Sequence, residues 1–108
     1  MITRIWRGWT TLANAAIYEA LFTDEVFVDI ARAKFIGYLG ISLIKRTQEA
    51  DVEFATIMWF SDLDAVRKFG GEEYQAAVVP PKARALLCRF EAHATHYETL
   101  LAPPGVAR

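Results

Sequence analysis

The sequence predicts an α+β domain in which a layer of helices covers one face of an antiparallel sheet. Three observations predict it. Four segments are rich in β-branched and aromatic residues, two segments repeat apolar residues at three- and four-residue spacing, and the turn signals between them give the order β-α-β-β-α-β. The simplest closure of that order is a four-stranded antiparallel sheet with both helices on one face, the ferredoxin-like βαββαβ arrangement.

Each element has its own signature. Ile2 to Trp9 alternates β-branched, aromatic and basic residues and reads as a strand. Thr10 and Thr11 can cap the helix that follows, where Ala13, Ala16, Ile17, Ala20 and Leu21 share one face. That helix weakens near Thr23–Asp24, restarts through Val26, Phe27 and Ile30, and ends before Gly37. Gly37 to Thr47 and Val52 to Phe60 are strands joined through Glu49-Ala50-Asp51, a connection short enough for a hairpin. Ser61 with Asp64 resembles a capping box opening the second helix, and Gly70-Gly71 stops it. Tyr74 to Val79 is expected to add a helical turn, Pro81 to open a short helix through Leu87, and Phe90 to Leu100 to form the last strand. The domain is thus placed at residues 1–101, with 102–108 a loose tail.

At 108 residues the chain is near the commonest domain size, yet 54% of it is hydrophobic. The third strand is apolar on both faces, with Phe54, Met58 and Phe60 on one and Ala55, Ile57 and Trp59 on the other. A sheet with one wet face would alternate polar residues, so a second subunit is expected on the face the helices leave open. The expected state is therefore a homodimer through the sheet face.

The net charge is -1 with both signs interspersed, which gives no footprint for nucleic acid. The single Cys88 excludes an intrachain disulfide and a cysteine metal site, fits a reducing cytoplasmic setting, and is expected to be a small buried hydrophobe. The opening residues carry Arg4 and Arg7 and do not read as a signal peptide, and the uncharged run from Phe35 is interrupted too soon to span a membrane. No phosphate loop, paired-histidine spacing or nucleophile elbow is present.

Particular phrases resemble the antibiotic biosynthesis monooxygenase superfamily of dimeric α+β barrels. They are ITRIWRGWTT from Ile2, WFSDLDAVRKF from Trp59, YQAAVVPPKARALL from Tyr74, and the closing His96-Tyr97-Glu98. The resemblance covers nearly the whole chain and implies a cofactor-independent, quinone-forming monooxygenase, a haem-degrading enzyme, or a member without known chemistry. Haem-degrading members use a histidine ligand and a tryptophan on or after the second helix. Here no His or Trp lies between Phe60 and Ala92, and Val78 occupies the place resembling the ligand position. No cofactor and no metal are therefore expected.

Arg7 and His96 are the candidate catalytic residues. Arg7 is suited to hold an anionic substrate oxygen if it faces the helices, and its bland alternative is an ion pair with Glu98. His96, on one face with Ala92 and Ala94, is suited to act as general base, against a satisfied structural histidine. Trp59 and Tyr74 are candidates to stack on an aromatic ligand, with Phe69 and Val78 as apolar wall. Arg4 and Trp6 are expected on the opposite face with the partner subunit, and His93 at the interface or surface. Together these imply a monooxygenase-like protein binding or acting on a small electron-rich aromatic or enolic compound. The rival is a non-catalytic dimeric binding or structural module, and isomerase or lyase chemistry on a small lactone would need the same base.

Overall fold

A computed structural model of the chain describes residues 1–106. Its elements are β1 (Ile2–Thr11), α1 (Ala15–Leu21), a π-helical stretch (Phe22–Val26), α2 (Phe27–Ala33), β2 (Tyr38–Thr47), β3 (Asp51–Phe60), α3 (Leu63–Gly70), α4 (Pro81–Leu86), β4 (Leu87–Phe90) and β5 (Thr95–Glu98). The sheet order is β2-β3-β1-β4, with β5 also beside β1, and every pairing is antiparallel. This is the expected ferredoxin-like sheet, with its last strand broken into β4 and β5.

The break has a register cause. Gly8 lies opposite Phe90 and Ile5 opposite Thr95, so Trp6 and Arg7 face the four residues Glu91–Ala94. The surplus loops outward and pairs with the arm that follows α3. Ala76 bridges His93, the Ala77 amide donates to the Ala92 carbonyl at 2.9 Å, and the Ala94 amide donates to the Gln75 carbonyl at 2.8 Å. The helical turn expected at Tyr74 to Val79 is therefore an arm held partly by strand-like bonds, because its amides find partners in the bulge rather than four residues back.

Other boundaries moved by a residue or two. Asp62, not Ser61, caps α3, its Oδ1 accepting from the Ala65 amide at 2.9 Å. The first helical segment runs without interruption from Ala15 to Ala33, and the weak point at Thr23–Asp24 is absorbed as the π-helical stretch. It ends on Lys34 in the left-handed region, with φ of 50°. Gly37 has φ of 85°, and a Cβ there would come within 2.5 Å of Ala65 Cβ, so glycine is required where the chain enters β2 against α3. Cys88 is exposed rather than buried.

All the helices lie on one face of the sheet. One buried cluster joins Tyr18 and Phe22 to Val52, Phe54 and Ala83, and a second joins Met58 and Phe60 to Ala65 and Val66. Within β1, the buried residues are Arg4, Trp6, Gly8 and Thr10, so these point toward the helices. Arg7 and Trp9 have the opposite parity, as do Ala55, Ile57 and Trp59 on β3. The expected sides for Arg4 and Trp6 are thus reversed. No helix of the described residues is long and apolar enough to cross a membrane.

Candidate functional site

Between the two buried clusters the helices do not quite close on the sheet. An inner cavity of about 50 Å³ is walled by apolar side chains including Phe22, Ile41, Met58 and Val79, with Arg4, Tyr18 and Thr56 the polar exceptions apart from the Trp6 indole. It continues into an outer cleft of about 500 Å³ under the first helical segment, where Leu21, Glu25, Asp29, Pro81 and Lys82 form the mouth. Val26, Ile30, Phe69, Val78 and Pro80 border both spaces and form the throat between them.

Arg4 is the distinguishing residue. It is only 4% exposed, and no carboxylate lies within ion-pair distance of it among the described residues. A guanidinium can only donate, and its bonds go to neutral acceptors. Nη1 donates to the Tyr74 carbonyl at 2.5 Å and to His96 Nε2 at 3.0 Å, and Nη2 donates to the Ala76 carbonyl at 3.2 Å. The guanidinium also lies 5.3 Å from the Phe69 ring centroid. Burial pulls the Arg4 pKa down to about 10, which leaves it cationic at neutral pH. A buried cation that lacks an anion and borders an apolar cleft is a ready receptor for one.

His96 sits directly across from Arg4 in the β1–β5 register, on the helix face. Because Arg4 donates, His96 Nε2 must accept, which fixes the neutral Nδ1–H tautomer. Burial first, and the Arg4 charge second, hold the imidazole pKa below its ordinary value of 6.5. The Tyr74 ring packs edge-on to it, with centroids 5.4 Å apart. With its lone pair engaged, His96 in this arrangement fixes Arg4 instead of standing free as a base.

The sequence-predicted residues therefore divide. Phe69 and Val78 border the cleft, and Tyr74 and His96 form the shell behind Arg4. Arg7 and Trp59 lie on the other face of the sheet. Arg7 pairs with Glu91 at 3.2 Å, not with Glu98, and its side chain is half-exposed. The cooperating pair of Arg7 and His96 is thereby excluded, since the sheet separates them. Arg4 takes the place expected for Arg7.

Tyr18 was not foreseen either. It is 2% exposed and borders the inner cavity, and its hydroxyl has no hydrogen-bond partner among the described residues. Burial pushes its pKa up to about 12, which keeps it a neutral donor. In the sequence Tyr18 reads as an ordinary helix position, and Arg4 reads as a strand residue facing a partner subunit. Among the described residues no group of three or more His, Cys, Asp or Glu side chains is placed to hold a metal ion.

Comparison with known proteins agrees with this architecture. The chain is similar to a crystal structure of a Bacillus cereus protein classed as an antibiotic biosynthesis monooxygenase, with a TM-score of 0.64 and 13% identity over 94% of this chain and 95% of that one. It is also similar to SnoaB, a cofactor-independent oxygenase from Streptomyces nogalater, with a TM-score of 0.58 and 20% identity over 95% of this chain and 96% of that one. At these identities the likeness establishes the shared α+β fold. No protein-family model and no curated protein sequence matches the chain.

Proposed function

We propose that the chain is a cofactor-independent monooxygenase-like protein that takes a small electron-rich aromatic or enolic compound into the cleft beside Arg4. The observation that carries this reading is the buried Arg4 guanidinium, unpaired by any carboxylate, at the edge of an apolar cavity. Triplet oxygen reacts sluggishly with closed-shell molecules, but a phenolate or enolate can first give it one electron. The radical pair then recombines, forming a carbon–oxygen bond, and the resulting hydroperoxide loses water to leave a quinone carbonyl. One oxygen atom ends in product and one in water, and the substrate supplies all the electrons. The protein must favour the anion, hold its oxygen and exclude water. Arg4 supplies the positive field, Phe69 and Val78 part of the dry wall, and His96 with the Tyr74 carbonyl the positioning of Arg4.

The likeness to a cofactor-independent oxygenase supports the reading. One observation favours the non-catalytic alternative. The inner cavity of about 50 Å³ cannot hold a ring, so a substrate ring must lie in the throat or outer cleft. The decisive experiment follows oxygen consumption by a dihydroxynaphthalene with purified, metal-free and flavin-free protein. Quinone formation above the buffer rate, with one oxygen consumed per quinone and loss on Arg4→Met, is expected. A rate equal to buffer refutes enzymatic action on this class.

The uncovered sheet face supports a homodimer as the working form. Ile5, Ile57 and Trp59 are only partly exposed there, while Ile44 and Tyr97 are 53% and 52% exposed, so an apolar area is left for a second copy. A cytoplasmic setting is the reading we adopt from the lone, exposed Cys88.

A further inference from the structure

The cleft's two compartments differ in chemistry, and that difference specifies a ligand. In the inner cavity the polar atoms free to act are donors or hydroxyls. Three of the five Arg4 N–H groups are engaged, which leaves its Nε–H and one Nη2 hydrogen without a partner among the described residues. The Tyr18 hydroxyl is unpartnered in a residue that is 2% exposed, and Thr56 borders the same space. None of the residues around the inner cavity is acidic. Its volume of about 50 Å³ is of the order of one or two water molecules, enough for a carboxylate or a phenolate oxygen and too small for a ring.

The outer cleft is ten times larger and mostly apolar. Its charged rim is Glu25, Asp29 and Lys82, with Lys82 spent on Glu25 at 3.1 Å. That leaves one surplus negative charge at the mouth, which disfavours a second anionic group on a ligand's outer end.

We infer that the cleft takes a singly charged amphipathic anion, its ionised oxygen held in the inner cavity by Arg4 and Tyr18 and its flat apolar body lying in the throat and outer cleft. This rests on the reading above for the place of the site and not on any oxygen chemistry. Tyr18 thereby becomes a second anion donor, beside Arg4. The inference excludes polyanions such as phosphate esters, and it makes Val78, which is half-exposed at the throat, the residue whose bulk controls entry.

Calorimetric titration with three probes tests it: 2-naphthoate, its neutral isostere 2-naphthamide, and a naphthalene dicarboxylate with the second carboxylate at the far end. Naphthoate is expected to bind about 10- to 100-fold tighter than the amide, as befits a charge-assisted hydrogen bond to a buried cation, and the dicarboxylate more weakly than naphthoate. Tyr18→Phe removes only an unpartnered hydroxyl, so the fold survives. It should weaken naphthoate about 10-fold and leave the amide unchanged. Val78→Trp, at a half-exposed position, should weaken both. Absence of naphthoate binding, equal affinity for acid and amide, or an unaffected Tyr18→Phe variant overturns the inference. Naphthoate carries no hydroxyl to be oxygenated, so its selective binding without turnover of any phenol would sink the oxygenase reading alone. Phenol turnover without preference for naphthoate would sink this inference alone.

Discussion

Replacing Arg4 with methionine tests the centre of the structural argument, because the side chain joins three separated segments. From β1 it reaches the Tyr74 and Ala76 carbonyls on the arm after α3 and His96 on β5. A hydrogen bond to a charged group contributes about 1.5–3 kcal/mol net, so three would sum to several. Against this stands the cost of keeping a guanidinium out of water, the same effect that lowers its pKa to about 10. Methionine removes that cost and fits the apolar surroundings of Phe69 and Met58. The two arm carbonyls belong to half-buried residues and can partly rehydrate. The balance is a net loss of about 2–4 kcal/mol, or a fall of roughly 10–20 °C in Tm for a domain of this size.

Urea unfolding followed by circular dichroism measures the loss, and hydrogen exchange locates it. The Ala77 and Ala94 amides, which tie the arm to the bulge, should lose protection first, while β3 amides keep theirs. Arg4→Lys keeps the charge and can satisfy one carbonyl, so it should fall between wild type and Arg4→Met. A stability change within about 0.5 kcal/mol, or loss of protection spread evenly over the sheet, would refute the idea that Arg4 pins the arm.

Three more outcomes follow from particular contacts. His96 is held below its ordinary pKa of 6.5, so near and below that value the unfolded chain binds a proton that the folded chain refuses. Its contribution to stability is complete above the unfolded value and is lost as pH falls from there through the lower folded value. His96→Gln, which can still accept from Arg4 but cannot titrate, should lose less stability than wild type between about pH 7.5 and about pH 5.5, and equal slopes in urea titrations would contradict the assignment. Arg7→Ala breaks only a partly exposed pair with Glu91, so it should cost less than about 1 kcal/mol and leave naphthoate affinity unchanged; a large loss of affinity would restore Arg7 to the site. Trp59→Glu on the open sheet face should convert a dimer of two 12.2 kDa chains to monomer in sedimentation velocity, whereas a wild-type monomer at micromolar concentration would remove the dimer altogether.

The element order was legible because period-two and period-3.6 patterns are local, and the hairpin, the α3 stop at Gly71 and Pro81 at the start of α4 all sit where local chemistry puts them. Strand parity was not legible, and the site depended on it. β1 carries an arginine and a tryptophan on each face, Arg4 and Trp6 against Arg7 and Trp9, so hydrophobicity alone could not say which set meets the helices. β3 repeats the ambiguity with Met58 and Phe60 against Ile57 and Trp59. The same double-sided apolarity that argues for a partner subunit thus hides which residues face the cleft. The irregular last strand concealed the rest: the two surplus residues in the bulge leave His96 on the face that even alternation from Phe90 gives it, but they shift its partner on β1 from Ile2 to Arg4, and only the observed pairing shows that. Once Arg4 is known to point inward, its lack of a carboxylate partner acquires chemical meaning. Outward, the same residue would be an ordinary surface cation screened by water; inward, it leaves the folded chain with a positive charge that a ligand can satisfy.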